Sequence, residues 1–103
     1  MTPRRGEVWR YDPVVFRPGV SVLRLIVSAE PINRDSGLRV VLAVNVVDSD
    51  PGGLLAVAVD DLGWVSALTV QPIMRSRLLE RIAITTPETM EQVGAALRAA
   101  QDL

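Results

Sequence analysis

Polar and apolar residues alternate along Glu7-Val-Trp-Arg-Tyr-Asp12 directly after Gly6, which predicts a first strand closed by Pro13. A loop is expected over residues 13–19. Residues 21–28 form an almost continuous apolar run interrupted by Arg24, the pattern of a strand buried on both faces, and the run stops before Glu30-Pro31. Asn33-Arg-Asp-Ser-Gly37 has turn composition, and the β-branched stretch 38–47 predicts a third strand. Asp48-Ser-Asp-Pro-Gly-Gly53 opposes any strand. Beyond it, residues 54–59 and 64–70 read as two strands around the turn Asp60-Asp61-Leu62-Gly63. Pro72 is expected to break the second of these, and residues 73–80 to form one or two helical turns.

The pattern changes again at the C-terminal end. Arg81-Ile-Ala-Ile84 is a short β-type run, and Thr86-Pro87-Glu88 then supplies a hydroxyl cap, a proline at the first helical position and an acid in the first turn. From Met90, apolar residues Val93, Ala96, Leu97 and Ala100 recur at three- and four-residue steps and leave Glu91, Gln92, Arg98 and Gln101 on the opposite face. Five to six short strands followed by this helix predict a mostly β, α+β fold: a small SH3-like barrel with the helix covering one side, in a single domain over residues 1–103.

Composition narrows the chemistry. The chain has no cysteine and no histidine, which removes disulfides, thiolate nucleophiles, imidazole acid–base catalysis and the commonest metal ligands. Asp48 and Asp50 are expected to be turn formers rather than metal ligands, so neither a metal nor a cofactor is expected. All 11 basic residues are arginine, and with 12 acids they give a net charge of −1. No overall basic field attracts nucleic acid, so local arginine clusters must do so. The N-terminus lacks an apolar signal core and no run approaches the ~18 residues of a membrane span, so a cytoplasmic, non-membrane protein is expected.

Several segments stand together in a telling order: Arg4-Arg5-Gly6-Glu7-Val8-Trp9, Leu25-Ile-Val-Ser28, Val40-Val-Leu-Ala43, Ser76-Arg77-Leu78, Arg81-Ile82, Thr86-Pro87-Glu88 and Ala96-Leu97-Arg98-Ala99. In this order the chain resembles the MazF/PemK family of toxin–antitoxin ribonucleases across nearly its whole length, most specifically at its two ends. The resemblance implies a homodimer of MazF/CcdB-like barrels. It also implies a type II toxin that cleaves single-stranded RNA at short sequences without metal and is inhibited by a cognate antitoxin. The related CcdB-like proteins share the fold and inhibit DNA gyrase instead, and fold alone does not separate the two. A third reading is a degenerate member that binds antitoxin or RNA without cutting.

Metal-free RNA cleavage uses the ribose 2′-hydroxyl as nucleophile, and the protein must move its proton, protonate the leaving 5′ oxygen and neutralise charge on phosphorus. Arginine suits the last task, because its fork matches phosphate oxygens. The resemblance implies an arginine where the second strand begins and a threonine or serine near the end of the third; these positions hold Val22 and Asn45. Arg24 lies two residues beyond Val22, on the same strand face. Arg24 and Asn45 are therefore the candidate catalytic pair, with Arg17 of Arg17-Pro18 as the other phosphate arginine. The plainer reading of Arg24 pairs it with Glu7 or Asp12, and that of Asn45 is a strand-end amide. Gln71 matches a family glutamine, although Val70 precedes it where the family has an acid. Arg10, Arg17, Gln71, Arg75 and Arg77 are the candidate RNA-binding residues. Trp9, Tyr11 and Phe16 offer stacking surface or core, and Arg75, Arg77 and Arg81 form either a phosphate patch or a solvated face paired with Glu80.

Overall fold

The computed structural model describes residues 2–13 and 21–101. Strands β1 (Glu7–Tyr11), β2 (Leu23–Ile26), β3 (Val40–Val46), β6 (Gln71–Met74) and β7 (Leu78–Ile84) form one antiparallel sheet in the order β6-β3-β2-β1-β7. Strands β4 (Ala56–Val59) and β5 (Gly63–Ser66) form a separate hairpin. A bridge between Val47 and Trp64, with 2.8 Å bonds in both directions, ties that hairpin to the end of β3. Helix α1 (Glu30–Arg34) links β2 to β3, and helix α2 (Pro87–Gln101) follows β7. The plan is the mostly β, helix-ended architecture expected, with seven strands among the described residues rather than five or six.

Alternation along the strands divides the apolar residues between two faces. On one face Val8, Leu25, Val44 and Val46 meet Val57, Val59 and Val65 of the hairpin and Val93 and Ala96 of α2, forming the main core. On the other, Trp9, Ile26, Val41, Ala43 and Ile73 form a second buried cluster. The central strand β2 is thus buried on both sides, as its near-continuous apolar run predicts. Helix α2 starts as its cap predicts: the Thr89 amide donates to Thr86 Oγ1 at 3.2 Å, and Thr89, Val93, Gly94 and Ala96 are buried.

Four local expectations are corrected. Residues 30–34 form a helix where a plain connection was expected. Pro31 stands near its start, where its missing N–H costs nothing, and Glu30 and Arg34 pair at 3.3 Å one turn apart. Buried Asn33 anchors it by donating to the Ser28 carbonyl at 2.8 Å. Pro72 does not interrupt a strand but lies within β6, opposite Leu42, because β6 is an outer strand whose free edge needs no donor. Residues 73–80 are mainly strand, with a single 3-10 turn at Arg75–Arg77. β7 begins at Leu78 because it pairs along the whole of β1, from Tyr11–Leu78 to Glu7–Ile84, and this long-range pairing overrides local preference. The strand expected over residues 64–70 ends at Ser66, whose side chain accepts from the Leu68 amide and starts a 3-10 turn. Among the described residues no helix is long and apolar enough to cross a membrane.

Candidate active site

The strand register assembles the site. Trp9 lies opposite Arg24 and Arg24 opposite Asn45, while Ala43, two residues from Asn45, lies opposite Gln71. Directly paired residues share a face, so Arg24, Asn45 and Gln71 stand in a diagonal row beside Tyr11, at the edge of the Trp9–Ile26–Ala43 cluster.

Arg24 is only 6% exposed. Its guanidinium lies 5.0 Å from the centre of the Tyr11 ring, and Nη1 donates to the carbonyls of Ser21 at 2.7 Å and Leu23 at 2.9 Å. Its Nε is buried without a partner among the described residues. Burial lowers the pKa of this group from its ordinary value, and the electrostatic influence of Tyr11 opposes the shift. The plainer expectation for Arg24 is corrected: Glu7 is bound by Arg81 at 3.2 Å and Asp12 lies 3.9 Å from Arg77, so neither acid serves Arg24.

Asn45 Oδ1 accepts from Gln71 Nε2 at 2.8 Å, which orients its amide and leaves the NH2 as the donor end. The Asn45 backbone amide donates to Thr69 Oγ1 at 3.3 Å, and that hydroxyl donates to Ser66 O at 2.8 Å. The 3-10 turn after β5 thereby fixes the end of β3. A guanidinium, two coupled amides and a phenol thus meet on one face. They can hold an oxyanion, donate to further acceptors and stack an unpaired base, and no group of three or more potential metal ligands occurs among the described residues.

The other sequence candidates lie elsewhere. Arg10 alternates to the opposite face and pairs with Glu80. Arg77 donates to the Asp12 carbonyl at 2.8 Å. Arg75 is spent on backbone: it donates to the carbonyls of Leu38 at 2.6 Å, Ile32 and Asn33 at 2.5 Å, and Asp35 at 3.1 Å, closing the C-terminal end of α1. Arg75, Arg77 and Arg81 therefore do not act as one basic patch. Arg17 and Phe16 lie outside the described residues. Sequence reasoning overlooked the stacking of Tyr11 on Arg24 and the Thr69 support for Asn45. The first was accessible from period two, since Tyr11 follows Trp9 on one face.

No family model matches the sequence, and no curated protein sequence matches it. Solved structures do. An endoribonuclease from mycobacterial species is similar at 27% identity and a TM-score of 0.82, over 100% of this chain and 94% of that one. An endoribonuclease in complex with its cognate antitoxin, also mycobacterial, is similar at 28% identity and a TM-score of 0.83, over 98% and 96% of the two chains. The MazE-MazF structure from Deinococcus radiodurans shares the fold at 19% identity and a TM-score of 0.75, over 100% and 98%. Over its whole length the chain is thus similar in fold to these endoribonucleases and to the MazE-MazF structure, the architecture that the resemblance to the MazF/PemK family implied.

Proposed function

We propose that the chain is the toxin of a type II toxin–antitoxin pair, a cytoplasmic, metal-independent and sequence-specific endoribonuclease. The observation that carries this reading is the convergence of Arg24, Asn45, Gln71 and Tyr11 on one sheet face. Full-length similarity to endoribonucleases, one of them bound to its antitoxin, supports it. In this mechanism the 2′-hydroxyl gives its proton to solvent water as its oxygen attacks phosphorus and the P–O5′ bond breaks, leaving a 2′,3′-cyclic phosphate and a 5′-hydroxyl, and the group that protonates O5′ is reprotonated from the same solvent. Arg24 faces the non-bridging oxygens and stabilises their charge. The Asn45 NH2, held by Gln71, donates to a phosphate oxygen or a base edge, and the Tyr11 hydroxyl is the protic group for the leaving 5′ oxygen. Arg17 is the alternative phosphate arginine, whereas Arg10, on the opposite face and paired with Glu80, and Arg77, held by Asp12, take no assigned part. Exposed Leu54, Leu68, Leu79, Ile82 and Ile84 suit burial between two copies, so the working unit is a homodimer, which light scattering at micromolar concentration would check.

The test is incubation of purified protein with total RNA and synthetic single strands in the presence of EDTA. Wild type is expected to cut at a short sequence and leave cyclic phosphate ends, with Arg24→Ala slower by about 10²–10³. Absence of specific cuts by the wild type, or unimpaired cutting by Arg24→Ala, would sink the reading. One observation favours the alternative of a member that binds antitoxin or RNA without cutting: Arg24 Nη1 is engaged by its own strand's carbonyls. Tight RNA or antitoxin binding with no cleavage would identify that case.

A further inference from the structure

Away from Arg24, on the opposite face of the sheet, a groove of about 220 Å³ lies between α2 and the β2–β3 part of the sheet; its walls include Arg5, Leu42, Val70, Leu97, Arg98 and Gln101. Its floor is Gly94. A Cβ placed there would lie 3.2 Å from Arg5 Nη2 and 3.4 Å from Arg98 Nη1, so two guanidiniums close over the one helical position that lacks a side chain. The two nitrogens are therefore within about 7 Å of each other, a distance at which like charges oppose one another unless an anion lies between them. Among the described residues neither arginine forms an ion pair, although Arg10, Arg34, Arg77 and Arg81 all do. Arg5 is held in place by donating Nη1 to the Val27 carbonyl, which keeps Nη2 directed at Gly94.

We propose that Arg5 and Arg98, astride Gly94, form a second oxyanion site that takes the phosphate of a phosphate ester. Two planar forks supply more donors than a carboxylate has acceptor positions and match the charge of a phosphate. Leu42, Val70 and Leu97 give the organic part of the ester an apolar wall, and Gln101 adds an amide. The phosphate comes either from a free nucleotide or from the backbone of a bound RNA. The second source is geometrically open because Val70 adjoins Gln71: the groove and the Arg24 cluster meet at the same sheet edge from opposite faces. This inference stands on its own residues and does not require the cleavage reading.

Titration of the full chain with inorganic phosphate, adenosine 5′-monophosphate and an uncleavable 2′-O-methyl oligoribonucleotide, followed by calorimetry and phosphorus NMR, tests it. For a nucleotide source, the monophosphate binds more tightly than phosphate, and Arg98→Gln weakens it by about tenfold. For a backbone source, the oligonucleotide carries the effect: Arg98→Gln lowers the salt slope of its binding by about one unit. Gly94→Ala separates binding from folding, because alanine favours the helix yet fills the floor; loss of binding with an unchanged or higher Tm supports the site. Arg24→Ala keeps phosphate binding at this groove even where it abolishes cleavage. The proposal is overturned if neither small phosphate binds and Arg98→Gln leaves oligonucleotide affinity and salt slope unchanged. It is equally overturned if an acidic peptide, but no phosphate, competes for the groove.

Discussion

Replacing Arg24 by methionine asks whether this guanidinium is kept for chemistry or for the fold. At 6% exposure it holds a charge out of water with its Nε unpartnered. An unsatisfied buried donor costs about 1–3 kcal/mol, which the substitution recovers. Against this stand the two bonds from Nη1 to Ser21 and Leu23, and the stacking on Tyr11. Both carbonyls belong to half-buried residues that water can reach, so each lost bond costs about 1 kcal/mol, and the stacking contributes roughly 0.5–2 kcal/mol. Methionine refills most of the space of the arginine stem, keeping the cavity term small. The opposing contributions nearly cancel, and Arg24→Met is expected to remain within about 1 kcal/mol of wild type, or roughly 4–8 °C in Tm for a domain of this size. Cleavage of single-stranded RNA should nonetheless fall by about 10²–10³ or more. Urea unfolding at matched protein concentration, with an unchanged m value, measures the first quantity; gel analysis of a labelled oligonucleotide measures the second. A loss of more than about 3 kcal/mol would make Arg24 a structural residue, contrary to the balance of terms above. Full cleavage by the folded variant would remove it from the reaction.

Three further substitutions probe the frame around the site. Gly63→Ala places a Cβ 2.2 Å from the Val47 carbonyl at a φ of +139°, so β5 must part from β3; a loss of at least ~2–3 kcal/mol in urea unfolding is expected. Arg75→Ala frees four carbonyls around α1 and should cost about 2–3 kcal/mol, with faster amide exchange confined first to residues 30–38 and unchanged RNA cleavage per folded molecule. Thr86→Ala removes the acceptor for the Thr89 amide and should lower stability by about 1 kcal/mol without altering RNA binding.

What the chain discloses locally differs from what its pairing decides. Helix α2 is readable because cap, proline and three- and four-residue apolar steps all lie within one short segment. β2 is readable because burial on both faces leaves no polar alternation except at Arg24. β7 is not, because Leu78–Glu80 becomes strand only through pairing with β1, more than 60 residues earlier in the chain. The same limit applies to Arg75. A basic residue in a basic run reads as surface charge, yet its partners are carbonyls at the end of α1, some 40 residues away, and the local signals for that helix, Pro31 and the Glu30–Arg34 pair, span only five residues. At the site itself, period two places Arg24 on the Val22 face. That it stands directly opposite Asn45, with Gln71 closing the row, is a fact of register.

Net charge is a poor guide to where this protein can hold an anion, and the pairing of its arginines explains why. A balance of −1 offers no general attraction to a polyanion. Arg10, Arg34, Arg77 and Arg81 are matched by Glu80, Glu30, Asp12 and Glu7, and Arg75 is absorbed by backbone carbonyls. Among the described residues this leaves Arg4 and Arg39 as exposed guanidiniums without an acidic partner, and two places where an unmatched guanidinium is set against other groups: buried Arg24 beside Tyr11, and Arg5 with Arg98 over Gly94. Both places lie close to apolar side chains, where a guanidinium attracts an anion more strongly than it does in open water. A ligand that binds here is thus selected by the spacing of a few unmatched forks around one sheet edge, not drawn in by the field of the whole molecule.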